Sequence, residues 1–318
     1  MSDAPNIQEV PDVCFGTANY VVVWTDFRNG IDRIVRAARV TPQWTVLDTG
    51  HVVQPTPDYQ VTPVIAFDGT RYLVVWQNLA HPFGVYCRFI GADCLPQGPV
   101  IAMSTALTAT NPRIVYDGVN YFVVWQEYTA TNNIIGRFVS PTGTLVGDTV
   151  VITSGAANHV SPAVCYDGDR FLVTWSQDQI WGQFVSNSGI PVGMPFQIST
   201  SMHEQVDPEV FFGGGRYLAA WSEFRIDYDV YGNIDLQSAV KGPNGVSVAD
   251  RDAYPDRTIF NDRVRVINGQ GRKVTVFDVL GKKVAEIEDG VWKAHSAPAG
   301  VYFLSVVDEY VFRVIKIK

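Results

Sequence analysis

Apolar positions in the first 250 residues fall into paired short runs, and the pairs repeat. Residues 61–78, VTPVIAFDGTRYLVVWQN, show the unit: an apolar run, an Asp-Gly turn, and a second run ending in Trp76. The phrase returns as NPRIVYDGVNYFVVWQE from Asn111, SPAVCYDGDRFLVTWSQ from Ser161 and DPEVFFGGGRYLAAWSE from Asp207. A worn copy, VPDVCFGTANYVVVWTD, starts at Val10. Aligned on Trp24, Trp76, Trp125, Trp175 and Trp221, the copies lie 52, 49, 50 and 46 residues apart. Thirteen residues before each tryptophan stands a proline: Pro11, Pro63, Pro112, Pro162, Pro208. Nine before it is an aromatic (Phe15, Phe67, Tyr116, Tyr166, Phe212), and four before it another (Tyr20, Tyr72, Tyr121, Phe171, Tyr217). Fixed offsets at such a period mark propellers or arrays.

The residue types choose between these. Each copy is rich in Val, Ile, Tyr, Phe and Trp, with turn residues at short intervals and no helical spacing. The Asp-Gly pair makes the first two strands a hairpin, because glycine readily takes positive φ. The second strand, as in RYLVVW, is apolar on both faces and must be covered on both, as in a blade packed between blades. A third strand (GVYCRFI, NIIGRFV, QIWGQFV) and a fourth such as PVGMPFQIS complete four strands in about 50 residues, one propeller blade. The sequence therefore predicts an all-β chain, a five-bladed β-propeller over residues 1–250. Residues 2–9 are a candidate strand to close the ring, since the fifth copy lacks a clear fourth strand.

From about Tyr254 the repeat stops. VRVINGQGRKVTVFDVLGKKVAEIEDG and APAGVYFLSVVDEYVFRVIKIK alternate as strands, which predicts a small antiparallel β-sandwich over residues 251–318. VTVFDVLGKKV, then PAGVYFLSV, then a terminal RVIKIK resemble the C-terminal type A sorting domain of type IX secretion substrates of Bacteroidetes and related bacteria. That resemblance implies an immunoglobulin-like sandwich, secretion machinery as a partner, and a secreted or outer-surface location. The Tyr-Pro-Asn-Pro phrase that opens such domains stands here only as AYPDRT, with Asp256 for Asn. The propeller repeat is likewise similar to those of many secreted bacterial proteins, a likeness of architecture that names no activity.

Charge narrows the partners. The net charge is −8, but residues 1–250 hold 12 Lys+Arg against 23 Asp+Glu, and residues 251–318 hold 12 against 9. An acidic body argues against nucleic acid, whose phosphates demand a basic face. No run of about 18 apolar residues is present to span a membrane. The opening MSDAPNIQEV shows no basic stretch followed by an apolar one, so no secretory signal peptide is visible. Cys14, Cys87, Cys94 and Cys165 have no metal-type spacing and read as core thiols; CRFIGADC leaves a Cys87–Cys94 disulfide open.

Candidate chemistry gathers where the end of each second strand lies beside the start of the first. Before the repeat prolines stand Val10, Thr62, Asn111, Ser161 and Asp207; two residues after the tryptophans stand Asp26, Asn78, Glu127, Gln177 and Glu223. The latter are all carboxylates or amides. They either solvate hairpin ends or, with Arg28 and Arg225 from the loops FRNGID and FRIDYD, form a ligand site. Carboxylates and amides beside aromatic edges suit sugar hydroxyls, so the expected partner is a glycan or a surface protein.

VDPEVFFGGGRYLAAW also resembles the Asp-Pro phrase of five-bladed arabinanase-type glycosidases, which implies Asp207 as general base, with Glu127 or Glu223 as acid. Yet the proline recurs in all five copies and Asp in only one, so the phrase belongs to the repeat. The expectation is binding or scaffolding without catalysis. The five histidines share no ligand spacing, no GxSxG elbow is present, and FFGGGRY opens no helix. No cofactor is expected; a calcium ion held weakly by the acidic loops is the one left open.

Overall fold

A computed structural model of the chain describes residues 5–55, 59–104, 106, 108–224, 228–234, 247–248, 263–265, 274–278, 283–287, 291–293, 300–306 and 310–316. Every described regular element is a strand. Four sheets of four antiparallel strands follow one another in chain order. The first holds β1 (Gln8–Phe15), β2 (Tyr20–Asp26), β3 (Ile34–Val40) and β4 (His51–Val52). The second holds β5 (Gln60–Phe67), β6 (Tyr72–Asn78), β7 (Gly84–Ile90) and β8 (Pro96–Ser104). The third holds β9 (Ala109–Tyr116), β10 (Tyr121–Tyr128), β11 (Asn132–Val139) and β12 (Leu145–Val151). The fourth holds β13 (Val160–Tyr166), β14 (Arg170–Gln177), β15 (Gln179–Ser186) and β16 (Pro191–Gln197). A fifth sheet has the order β17 (Glu204–Gly213), β18 (Arg216–Phe224), β19 (Tyr228–Ile234) and β20 (Ser247–Val248).

The first strand of each sheet packs on the first strand of the next, β1 on β5, β5 on β9, β9 on β13 and β13 on β17. This inner-edge stacking is the propeller-like arrangement that the repeat predicts. The second strands are buried as expected: β6 is covered along its whole length, and Trp76, Trp125 and Trp175 are at most 2% exposed. Alternate residues of β6 serve different cores. Leu73 and Val75 face the third sheet's Tyr121, Val123 and Trp125, whereas Tyr72, Val74 and Trp76 face the first sheet's Val21, Val23 and Val35. A strand wedged between two apolar faces cannot alternate apolar with polar.

The Asp-Gly turns take one form. Gly69, Gly118 and Gly168 have φ of 97°, 94° and 98°. Each aspartate's Oδ1 accepts the two amides beyond the glycine, as Asp68 does from Thr70 and Arg71 at 2.8 Å. The aromatic four residues before the tryptophan reaches back to the preceding turn. Tyr121 Oη donates to the Arg71 carbonyl at 3.3 Å, and Tyr217 Oη donates to Asp167.

The repeat proline sits in a β-bulge. Across β1–β2 the register runs from Glu9↔Thr25 to Asp12↔Val23, one extra residue on the inner strand. The same step occurs at Val61/Val64, Thr110/Arg113 and Val160/Ala163. Proline has no amide hydrogen to donate, and a bulge is where a strand tolerates that. The preceding residue turns left-handed in all five copies: Val10, Thr62, Asn111, Ser161 and Asp207 have φ of 49–52°.

One expectation is corrected and one open question is answered. Gln8 and Glu9 pair with Asp26 and Thr25 inside the first sheet, so they begin that sheet and close no other. All four cysteines are free thiols. Cys87 lies in the core between the second and third sheets and Cys94 in the core shared with the first, on opposite faces, which keeps the two sulfurs apart.

The chain divides into two compact units, Met1–Trp221 and Ser222–Lys318, the division falling inside β18. In the second unit, β21 (Arg263–Arg265) pairs with β24 (Val291–Lys293). A four-stranded antiparallel sheet has the order β23 (Lys283–Ile287), β22 (Val274–Asp278), β25 (Gly300–Val306), β26 (Tyr310–Lys316). Among the described residues no helix is long and apolar enough to cross a membrane.

Candidate functional site

The bulge residues of neighbouring inner strands face one another. Ser161 Oγ of β13 donates to Asp207 Oδ1 of β17 at 2.9 Å, and the Ser161 amide donates to Gln126 Oε1 at 3.2 Å. Asp207 is exposed, so its second oxygen is free to meet a ligand. The position just after the proline carries charge in three of the five copies. It is Asp12, Val64, Arg113, Ala163 and Glu209 in the five copies. Arg113 of β9 reaches Glu209 of β17 at 3.1 Å, skipping the strand between them, and its charge also acts on Asp12 of β1. Burial pushes the Asp12 carboxyl above its usual range, against the pull of the Ile65 and Val13 amides that bond it and of Arg113. These three residues were missed in the sequence. Their signal was present: charge at one fixed offset on an otherwise apolar inner strand.

The residues two after each tryptophan have partners of their own. Asp26, 2% exposed, accepts the Trp24 indole Nε1 at 2.8 Å and a bidentate pair from Arg28 Nε and Nη2 at 2.7 and 2.8 Å. Burial works to raise its carboxyl, but the Arg28 and Trp24 bonds outweigh it and hold the group below its ordinary range. Glu127 Oε2 accepts the Trp125 indole at 2.9 Å and Ser104 Oγ at 3.1 Å. Asn78 is buried and donates to the Pro82 carbonyl at 3.1 Å. Gln177 bonds His159, whose imidazole is pushed down by burial. Glu223 is buried at the end of β18 in the second unit. Arg225 lies outside the described residues. Asp26 is bonded to Arg28, whereas Asn78, Glu127 and Gln177 bond side chains and carbonyls outside this set. Where the residue is acidic in the first and third sheets, its visible work is to accept the indole hydrogen of the repeat tryptophan.

One pocket is built around such a residue. It measures about 410 Å³ and is lined by Met103 and Ser104 of the second sheet with Trp125, Glu127, Arg137 and Thr149 of the third. No three His, Cys, Asp or Glu side chains among the described residues are grouped to hold a metal ion.

The four-stranded antiparallel sheets, stacked inner strand on inner strand, resemble the blades of solved glycoside hydrolases. An exo-β-1,3-galactanase from Phanerochaete chrysosporium, solved with galactose, matches at a TM-score of 0.53 with 13% identity, covering 86% of this chain and 72% of that one. An endo-arabinase from Bacteroides thetaiotaomicron matches at 0.45 with 14% identity over 73% and 94%. A Bombyx mori β-fructofuranosidase matches at 0.49 with 9% identity over 98% and 86%. No protein-family model and no curated protein sequence matches the chain. At such identities the likeness is one of fold. The expectation of a protein without catalysis is nevertheless corrected, since the fold is matched by an enzyme, the galactanase. That expectation rested on reading the Asp-Pro phrase as repeat alone. The proline and its bulge are indeed repeat; the exposed carboxylate of Asp207 is not.

Proposed function

We propose that the chain hydrolyses glycosidic bonds of a polysaccharide, with Asp207 as base. The observation that carries this reading is the exposed Asp207 carboxylate, fixed by a left-handed backbone turn and by the Ser161 hydroxyl at the meeting of inner strands. Hydrolysis needs a second, protonated carboxyl group to serve the leaving oxygen, and Glu209, two residues along the same strand, takes that role once substrate displaces its exposed ion pair with Arg113. Glu127 is the weaker partner, since one of its oxygens is committed to an indole and a hydroxyl. The galactanase likeness makes galactan the first substrate to offer, and the Asp-Pro phrase at Asp207 adds arabinan. The five-blade count, the immunoglobulin-like form of residues 251–318 and export by the type IX route are parts of the same proposal and rest on the sequence motifs.

Turnover of galactan and arabinan by Asp207→Asn, Glu209→Gln and Glu127→Gln separates these roles. The first two are expected to lose about 10²–10⁴-fold in kcat, the usual worth of acid–base groups, with melting temperatures unchanged. A Glu127→Gln variant that alone loses turnover would move the chemistry off the inner strands.

A further inference from the structure

Three of the four complete sheets solve one packing problem in different ways. A long polar side chain on the third strand, Arg88, Arg137 or Gln183, pairs across to Val74, Val123 or Val173 of the second. Arg88 Nη1 donates to the carbonyl of Val53 in the sheet before, and Arg137 Nη1 to that of Met103, the equivalent residue. The next residue differs. Gln54 fills the first junction and accepts Arg88 Nη1 at 2.8 Å, while Arg88 Nε is taken by the Gly98 carbonyl at 3.1 Å. At the second junction the counterpart is Ser104, too short to reach; its hydroxyl turns to Glu127 instead. Arg137 Nε is left buried without a partner, and the pocket of about 410 Å³ opens there. In the fourth sheet Gln183 satisfies itself on the Val192 and Gly193 carbonyls.

We infer that this pocket between the second and third sheets binds a neutral sugar unit, as a secondary subsite of the saccharide-directed protein proposed above, on which reading it rests. Its lining offers a guanidinium donor in Arg137, an acceptor in the Glu127 carboxylate, and the Ser104 and Thr149 hydroxyls beside the Trp125 ring. Paired donors and acceptors next to an aromatic edge are what sugar hydroxyls require, and the volume falls in the lower part of the small-ligand range of about 300–1,000 Å³. Both charge signs line the same pocket, so an anion or a cation meets one repulsive partner and a neutral polyol meets none.

The internal repeat supplies the test. Ser104→Gln copies the plug that Gln54 provides at the neighbouring junction, and Arg137→Gln copies the fourth sheet. Saturation-transfer NMR and titration of the full chain with galactose, arabinose and xylose are expected to show millimolar binding. Ser104→Gln and Arg137→Gln are each expected to weaken it at least ~10-fold, as losing a polar partner or the space does, with folding checked by melting. Sugar binding unchanged in both folded variants, or binding of glycine or acetate but of no sugar, overturns the inference. Galactan and arabinan turnover is measured in parallel. Turnover abolished by Asp207→Asn, with sugar binding indifferent to both Ser104→Gln and Arg137→Gln, sinks the subsite alone. Absence of turnover in the unaltered chain sinks the hydrolase reading.

Discussion

Asp48 accepts a bidentate bond from Arg39, with Nε and Nη2 at 2.7 and 2.9 Å, and a third from the Arg39 amide at 3.0 Å. The Arg39 side-chain bonds hold its carboxyl down to about 2, against the opposing effect of burial. A carboxyl whose folded pKa is depressed adds stability that is present above its unfolded value, near 4, and is lost as pH falls through about 2. Asp48→Asn is therefore expected to cost about 1–3 kcal/mol at pH 7, and the difference from the unaltered chain is expected to shrink from about pH 4 downward and to be mostly gone by about pH 2. Melting curves across pH 2–7 check it; a deficit that stays constant down to pH 2 rules the ion pair out as the cause. The thiols make a second case at this scale. Burial pushes Cys14 up to about 11, Cys94 and Cys165 up to about 12, and Cys87 higher still. Thiolate is the reactive form, so the native protein at pH 8 is expected to resist iodoacetamide at all four until it is unfolded. Mass spectrometry showing prompt labelling of Cys87 contradicts its place in the core.

The bulge is the element on which the inner edge turns. A β-branched residue at φ near +50° is strained, whereas asparagine tolerates that region. Val10 and Thr62 bear the strain and Asn111 does not. Thr62→Asn, which copies the third sheet, is expected to stabilise by about 0.5–1 kcal/mol, read as a higher melting temperature. No gain would mean that neighbouring groups hold the turn at no cost. The tryptophan at the other end of the hairpin is structural: Trp125→Ala is expected to cost about 3–5 kcal/mol. Strands, hairpins and turns were legible because apolar runs, Asp-Gly pairs and fixed tryptophan offsets are local signals. The bulge was written in the same residues, as a proline inside each inner strand, but its left-handed neighbour shows only in the register. What the sequence hid was partnership. Asp26 and Glu127 looked like ligand-facing acids because nothing local says that the indole two residues earlier donates to them. Arg113 and Glu209 looked unrelated because 96 residues separate them.

At the scale of the molecule, repetition and departure from it carry the argument. Five copies share a proline, a left-handed residue before it and two aromatics, and those make the fold. Both proposed sites lie where one copy differs, at Asp207, where the other sheets carry Val, Thr, Asn and Ser, and at Ser104, where the neighbouring junction carries Gln. The most direct measurement follows reducing ends released from galactan and arabinan by the full chain and by Asp207→Asn, side by side and at matched melting temperature. The account predicts steady release by the former and a loss of at least ~10²-fold in the latter. Equal release by both, or none from either polysaccharide by the unaltered chain, contradicts it.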